Sequence, residues 1–444
     1  MISKSIPRIL IAGTNSGCGK TTITCAILSA LVSRKISTAS FKCGPDYIDP
    51  MFHGKIIGTS SSNLDPFFYD ENTLNALLVE NSEDISVIEG VMGFYDGITM
   101  QSAKGSSYDV ARITSTPVIL AVNCKGTAYS ILPIIEGFAK HKTDFYLAGV
   151  ILNQTSSTTY AHLKTLIETN LGISVFGYLP KLPPHLILES RHLGLVTPAE
   201  LANIKDTLTN LGKFASATID IDALIAAATD APAIQYHDIA IEPVASAVIA
   251  VALDNAFCFY YKDSLNLFKK LGATLRYFSP LSDSKIPEDA TGLYLGGGYP
   301  ELYLSALSKN TAMKKSIQNW ITSNRPTIAE CGGFMYLTTE IDGFSMVAAL
   351  EGVCHNTTKL TRFGYATFTA TTNNILCSAG ESFRGHEFHY YDCNNNGTAF
   401  AARKDNGKNW LAAYATENLY AGFPHISFYS NISIAKNFIR RCAQ

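Results

Sequence analysis

The sequence predicts two successive α/β units, the first a doubly wound parallel sheet carrying a phosphate-binding loop. Three observations predict it. A short apolar run, Arg8–Ala12, feeds the glycine-rich stretch Gly13-Thr-Asn-Ser-Gly-Cys-Gly-Lys-Thr21 and then a segment apolar at helical spacing. Buried-strand runs alternate with helical ones along the chain that follows, the pattern of a parallel sheet. Later the alternation restarts and reaches Pro326-Thr-Ile-Ala-Glu-Cys-Gly-Gly-Phe334, a cysteine at a sharp strand-to-helix turn.

The elements follow in order. After the strand Arg8–Ala12, a helix runs from Thr21 to Ser33. Further buried strands are expected at Ser37–Lys42, Ile85–Glu89, Val118–Asn123, Gly149–Asn153 and Val175–Leu179, with helices such as Asn72–Val79 and Thr159–Asn170 between them. A ligand then belongs at the carboxyl ends of those strands. Asp230–Val244 is rich in Ala, Pro and Asp without strong periodicity, and reads as a linker. The second unit begins with a strand at Ala247–Leu253 and a helix at Leu265–Leu271. The strand Leu293–Leu295 runs into Gly296-Gly-Gly298, a helix covers about Ser305–Ser323, and the strand Thr327–Ala329 ends at Glu330-Cys331. The expected division is residues 1–232, a linker at 233–246, and residues 247–444. No internal repeat or low-complexity tract is evident.

Bulk properties agree. At 444 residues the chain exceeds one ordinary core. Hydrophobic residues make up 47% and charged ones 16%, which suits well-buried α/β domains and excludes a disordered chain. A formal charge of -2 with no basic stripe gives no electrostatic case for nucleic acid. No apolar run reaches the roughly 18 residues of a membrane helix. The ten cysteines show no disulfide-like or CxxC spacing, and no signal peptide opens the chain, so a reduced cytoplasmic setting is expected.

A glycine-rich loop between strand and helix turns backbone N–H groups toward an anion, and the helix dipole adds to the attraction. Gly13, Thr14, Asn15, Ser16, Gly17, Cys18, Gly19, Lys20 and Thr21 are therefore expected to wrap a nucleotide's phosphates. Lys20 would reach the outer phosphates and Thr21 would place its hydroxyl on Mg²⁺. The strict GxxxxGK[ST] spacing is not met: Thr14 stands where glycine is expected, and the glycine is Gly13. Magnesium needs further hard oxygens. Glu89, ending a strand, and Asp46, in Lys42-Cys-Gly-Pro-Asp-Tyr-Ile-Asp-Pro50, stand where such a sheet presents carboxylates; Asp49, His53 and Asp96 lie in the same loops.

A cysteine nucleophile acts as thiolate and needs a proton acceptor. The turn at Cys331 offers a helix N-terminus and the Gly332 amide as an oxyanion donor, and Leu295-Gly-Gly-Gly-Tyr-Pro-Glu301 could supply a second amide. For the base, the second unit holds His355, His386, His389 and His425, and the residues alone leave that choice open.

At these positions the chain resembles the cobyrinate a,c-diamide synthase family over essentially its whole length. The resemblance is carried by Gly13–Thr21, Lys42–His53, Glu89-Gly-Val-Met-Gly-Phe-Tyr-Asp-Gly97, Ser190-Arg-His-Leu-Gly-Leu195, Asp254-Asn-Ala-Phe-Cys-Phe-Tyr-Tyr261, Gly296–Glu301, Ala329–Leu337 and Gly385–Tyr390. It implies a dethiobiotin-synthetase-like amidoligase domain followed by a class I glutamine amidotransferase domain. It further implies that Cys331 attacks the glutamine amide with His425 as base, the oxyanion being held by Gly298 and Gly332. The first domain would use ATP and Mg²⁺ to make an acyl phosphate on the a and c acetates of cobyrinate, which ammonia then displaces. On the family's pattern Thr21, Asp46 and Glu89 serve the metal, Asp46, Tyr47, Ile48 and Asp96 the substrate, and Asn153 the adenine. Its partners would be small molecules, namely a tetrapyrrole polyacid, L-glutamine and ATP, with a homodimer open as the assembly. One departure stands out. Where the family usually has a second histidine, and other class I amidotransferases a glutamate, this chain has Ser427, so the third member of the triad is left open.

Three alternatives compete: another tetrapyrrole substrate, a partition protein, and a stand-alone dethiobiotin-like ligase with a degenerate second domain, against which the intact Glu330-Cys-Gly-Gly333 speaks. Hydrogenobyrinate or nickel sirohydrochlorin would require the same ATP and glutamine motifs. A nucleotide-dependent partition protein would share the phosphate loop, but has no use for Cys331 in its Gly-Gly turn.

Overall fold

The computed structural model describes residues 1–183, 186 and 198–444; the Ser190–Leu195 segment lies outside them. The chain divides into two compact units, Met1–Ile239 and Ala240–Gln444.

In the first unit the strands are β1 (Ile2–Lys4), β2 (Arg8–Gly13), β3 (Thr38–Cys43), β4 (Ser60–Leu64), β5 (Ile85–Glu89), β6 (Val118–Asn123), β7 (Leu147–Asn153), β8 (Ser174–Leu179) and β9 (Ile234–Tyr236). Seven of them form one parallel sheet in the order β4-β3-β5-β2-β6-β7-β8. β2 is central and entirely buried. The chain winds to one side of it through β3–β5 and to the other through β6–β8, so the order reverses beside β2, where an α/β sheet opens a crevice for ligand. The helix Lys20–Ser33 packs its apolar residues Ile23, Ile27, Leu28 and Leu31 on the sheet. β4 carries no hydrophobic signature and was not expected; its serines bond to the neighbouring strand through Ser40 Oγ, 3.0 Å from Ser61 Oγ. The segment expected as a linker at 233–246 starts with β9, which pairs antiparallel with β1. Arg8 is wholly buried, and no ion pair joins it to a carboxylate among the described residues. It donates instead to the carbonyls of Ile6, Thr114, Ser115 and Pro232, tying the base of β2 to the end of the unit.

The second unit holds β10 (Ala247–Ala252), β11 (Ala273–Phe278), β12 (Gly292–Leu295), β13 (Thr327–Glu330), β14 (Glu340–Ile341), β15 (Phe344–Ser345), β16 (Val353–Ala370), β17 (Ser382–Cys393), β18 (Phe400–Arg403), β19 (Asn409–Ala412), β20 (Tyr414–Ala415), β21 (Leu419–Gly422) and β22 (His425–Ile426). One sheet runs β11-β10-β12-β13-β21-β20, parallel except for the last pair. A second, built around the long antiparallel pair β16–β17, ends on β22. The expected helix at Ser305–Ser323 is two helices, Leu304–Lys309 and Thr311–Thr322. Asn310 divides them, its side chain accepting from the Met313 amide as an N-cap.

Candidate active sites

In the first unit the predicted residues converge on the carboxyl ends of β2, β3 and β5. Gly13 closes β2, Thr14–Gly19 form the loop, and Lys20 and Thr21 open the helix. Gly19 has φ 102°, and a β-carbon there would run into the Asn153 amide, so glycine is required on both counts. Lys20 is buried beneath the loop, with Nζ 3.2 Å from the Asn15 carbonyl oxygen. Burial pulls its ammonium below the usual lysine range, opposed by nearby carboxylates including Glu89 and Asp96.

Glu89 is the hub. Thr21 donates to its Oε1 at 2.6 Å and Lys42 to the same oxygen at 2.9 Å, while His53 Nε2 lies 3.2 Å from Oε2. Burial would raise its carboxyl, but Lys42, His53 and Thr21 reverse that and hold it ionised. Lys42 also pairs with Asp49 at 2.6 Å. Burial alone would drive off its proton, and Glu89, Asp49 and Asp46 more than compensate. Asp49 is pushed up to about 7, first by burial and then by Glu89, against the pull of Lys42. Lys42 was not singled out in the sequence. Its signal is a cationic side chain one residue from the end of a buried strand, where a structural residue would be apolar.

Asp46 turns its Oδ1 back onto the Ile48 amide at 2.9 Å, and Asn63 holds the same turn by donating to the Gly44 and Asp46 carbonyls. Tyr47 is buried beside it. Asp96 accepts from the Gly93 amide at 2.8 Å, in a loop joined to the phosphate loop where the Phe94 amide donates to the Gly13 carbonyl at 2.8 Å. Asn153, expected at the adenine, has both ends of its amide engaged. Nδ2 donates to the Cys18 carbonyl at 2.8 Å, and Oδ1 accepts from the Gln154 amide at 3.0 Å. It braces the loop from the end of β7. Among the described residues no group of three or more His, Cys, Asp or Glu side chains forms a ready metal cage. The donor chemistry nevertheless suits Mg²⁺, which takes one or two protein oxygens and completes its shell with phosphate and water; the adjacent Thr21 hydroxyl and Glu89 carboxylate offer such a pair.

In the second unit β13 delivers Cys331 into a turn with φ 47° and ψ −104°, an unusual backbone costing about 1–3 kcal/mol. The turn is fixed by the Cys331 amide donating to the Gly422 carbonyl at 2.7 Å and the Gly333 amide donating to the Gly296 carbonyl at 3.1 Å. The helix that follows, Gly332–Leu337, is short, so its dipole contributes less than expected. The thiol is correspondingly not lowered. Burial, and then the Glu301 and Glu387 carboxylates, push it up, against the Gly332 amide that bonds the sulfur. These influences favour the thiol over the thiolate.

The Gly296–Gly298 loop is held against this turn by the segment Asp254–Tyr261. The Cys258 and Phe259 amides donate to the Gly297 carbonyl at 3.0 Å each, the Gly296 amide donates to Tyr260 Oη at 2.8 Å, and the Tyr299 amide donates to the Ala256 carbonyl at 2.9 Å. Gly298 has φ 157° and abuts the Ala256 carbonyl, leaving no room for a β-carbon. Its amide nitrogen lies 3.2 Å from where a Gly332 β-carbon would stand, so the two glycines proposed for an oxyanion are neighbours.

The four histidines separate clearly. His355 is exposed on β16. His389 has Nε2 2.8 Å from Glu387 Oε2 and Nδ1 2.5 Å from the Tyr391 carbonyl, and its ring stacks on Phe423 with centroids 4.0 Å apart. His386 stacks on His425 at 4.9 Å, and burial, followed by His425 and His389, keeps it neutral. His425 sits against Gly297 of the glycine loop, with Nδ1 3.8 Å from Glu330 Oε2. Glu330 was given no role from the sequence and His386 was one of four candidate bases, and only the pairing of β17 with β22 reveals the histidine stack.

Comparison with known proteins agrees with both halves. The CobQ/CobB/MinD/ParA nucleotide binding domain family matches residues 9–195, and the CobB/CobQ-like glutamine amidotransferase domain family matches residues 248–432. The chain is 39% identical to the cobyrinate a,c-diamide synthase of Caldanaerobacter subterraneus over 98% of both chains. It is 38% identical to that of Listeria monocytogenes over 96% of this chain and 97% of the relative. With the Thermoplasma volcanium synthase the identity is 40%, over 98% of this chain and 97% of the relative. The protein is a glutamine-dependent amidating ligase, and it belongs to the cobyrinate a,c-diamide synthase family.

Proposed function

We propose that the protein amidates the a and c acetate side chains of cobyrinate, using ATP and glutamine. The supporting observation is the coexistence of a phosphate loop ringed by Lys20, Thr21, Lys42 and Glu89 with a strained, buried cysteine set beside two glycine amides. A carboxylate resists attack by ammonia because it has no adequate leaving group. Transfer of the terminal phosphoryl of ATP to the carboxylate oxygen, releasing ADP, supplies one. Ammonia then forms the C–N bond at the acyl carbon as the C–O bond to phosphate breaks.

Each residue has a role in this reading. The backbone of Gly13–Gly19 cradles the phosphates, Lys20 neutralises charge on the transferred group, and Asn153 braces the loop beside the adenine. Thr21 and Glu89, with Asp46 nearby, would hold Mg²⁺, which when bound offsets phosphate charge. Lys42, kept protonated, orders Glu89 and Asp49. Asp46, Tyr47, Ile48 and Asp96 line the approach of the substrate carboxylate. In the second unit Cys331 attacks the glutamine amide carbon, His425 takes its proton and returns it to the leaving ammonia, and the Gly298 and Gly332 amides receive the oxyanion. Water then opens the thioester to give glutamate.

Mass spectrometry after incubation with ATP, glutamine and each of cobyrinate, hydrogenobyrinate and nickel sirohydrochlorin tests the substrate. Two amides gained on cobyrinate alone is the expected result, and two gained only on another member of the panel would overturn it. The base is tested separately. His425→Ala should lower glutamine hydrolysis on the order of 10³-fold, while His389→Ala, removed from Glu387 and Phe423, should act mainly on stability. The opposite ranking in glutaminase assays would reassign the base.

A further inference from the structure

Glu330 precedes the nucleophile in sequence, ends β13, and is 1% exposed. A carboxylate so buried is costly unless its oxygens are met. Here they are met from separate elements. Tyr294 of β12 donates its hydroxyl to Oε1 at 3.1 Å, the Ile426 amide of β22 donates to the carboxylate, and His425 Nδ1 lies 3.8 Å from Oε2. The register pairs Glu330 with Gly422, three residues before His425, so the strand that ends at Cys331 brings the acid close to the imidazole. Position 427, where a carboxylate would ordinarily orient such an imidazole, is serine.

We propose that Glu330 is the positioning residue of His425, the third member of the triad, supplied from the nucleophile's own strand. This rests on the reading of Cys331 and His425 as nucleophile and base. A carboxylate facing Nδ1 keeps the proton on that nitrogen and leaves Nε2 as the acceptor. When the Cys331 Sγ–H proton moves to Nε2, the imidazolium forms beside a fixed negative charge, and Glu330 itself is not protonated. A separation of 3.8 Å is longer than a hydrogen bond; such contacts are commonly loose in resting enzymes and tighten with substrate. Burial raises the Glu330 carboxyl, and His425, Tyr294 and the Ile426 amide pull it back toward the ionised form. The other titratable groups facing it are Tyr260 and Tyr420, both held protonated by burial, beyond His425 the neutral His386, and the Cys331 thiol, on which Glu330 is the last of several upward influences after burial, Glu301 and Glu387. None of these supplies a cation that could replace His425 as the partner of Glu330.

The test measures glutamine hydrolysis together with the pH dependence of iodoacetamide alkylation at Cys331, followed by peptide mass spectrometry, in Glu330→Gln, Glu330→Asp and His425→Ala. In Glu330→Gln kcat should fall on the order of a hundredfold with the glutamine KM unchanged. Loss of the charge disfavours the thiolate–imidazolium pair, so the alkylation midpoint should rise by about half a pH unit or more. Glu330→Asp should recover part of both. Wild-type kcat in Glu330→Gln, or a lower kcat with an unmoved midpoint, overturns the assignment, because a merely structural acid would leave the thiol's titration alone. Should Glu330→Gln fail to fold, Glu330→Asp decides: a lowered kcat with a raised midpoint supports the assignment, and two unchanged values overturn it. Full glutaminase activity in His425→Ala would instead remove the base, and with it the reading beneath this inference.

Discussion

Replacing Cys331 by serine should abolish glutamine-dependent amidation, on the order of 10⁴-fold or more, while high ammonium still supports product formation. Serine keeps the shape of the side chain and adds no strain to a backbone already at φ 47°, so the effect falls on nucleophilicity. The hydroxyl is a far weaker acid than the thiol, and the same buried setting that raises the thiol would raise it further. On the proposed mechanism ammonium bypasses this step, because residues of the other unit would make the acyl phosphate. The bypass should grow with pH, since only unprotonated ammonia attacks. Product quantified with glutamine and with ammonium as alternative donors distinguishes the outcomes. Persistent use of glutamine by the serine variant would take Cys331 out of the mechanism.

The parts of this molecule that were legible in sequence are those whose signals are local. β2, its loop and the helix after it announce themselves because a strand buried on both faces must be apolar throughout, and the chain must then turn sharply on glycine. Cys331 is legible for a similar reason, as a strand, a reactive side chain and two glycines follow one another directly. β4 is not legible: Ser60–Leu64 pairs through its backbone and bonds through hydroxyls, and polar edge strands carry no hydrophobic period. β9 is hidden because its partner is β1, at the far end of the unit. The split at Asn310 replaces one long apolar-periodic helix by two, since a capping side chain overrides a period that continues through it.

The chemistry of the two sites divides along the same line. Thr21 and Lys20 follow from the loop that contains them, but the convergence of Lys42, Asp49 and His53 on Glu89 depends on β3 lying next to β5. The stack of His386 on His425 and the approach of His425 to Glu330 depend on the pairing of β17 with β22 and the register of β13 with β21. Spacing along the chain holds no information about either. The surroundings of the thiol are hidden for a related reason. A strand–Cys–Gly–Gly–helix pattern shows that a helix begins, but not that it ends after six residues in a pocket flanked by carboxylates.

Lys20→Ala should lower amidation with both glutamine and ammonium, on the order of 10²–10³-fold, while glutamine hydrolysis in the second unit continues. The reason lies in how the two buried lysines differ. Lys42 already has its counter-charges in Glu89 and Asp49, which hold its proton firmly. Lys20 has no such direct ion pair among the described residues: its ammonium donates to the Asn15 carbonyl, Glu89 and Asp96 act on it only from a distance, and burial is the largest influence on it, drawing its affinity for the proton down. A buried cation short of counter-charge under a ring of amides is a site that awaits an anion, and triphosphate oxygens provide the missing partner. Binding should therefore raise the proton affinity of Lys20, and the charge it contributes is worth most where the phosphoryl group is in flight. Lys20→Arg should fail as well, because the Lys20 stem packs closely against Gly13 and a rigid planar fork does not replace a compact ammonium at the end of it. Isotope-edited NMR of the lysine Nζ, with and without a non-hydrolysable ATP analogue, would show the shift directly. Turnover with ammonium in Lys20→Ala at the wild-type rate would mean that this loop does not carry the phosphoryl step.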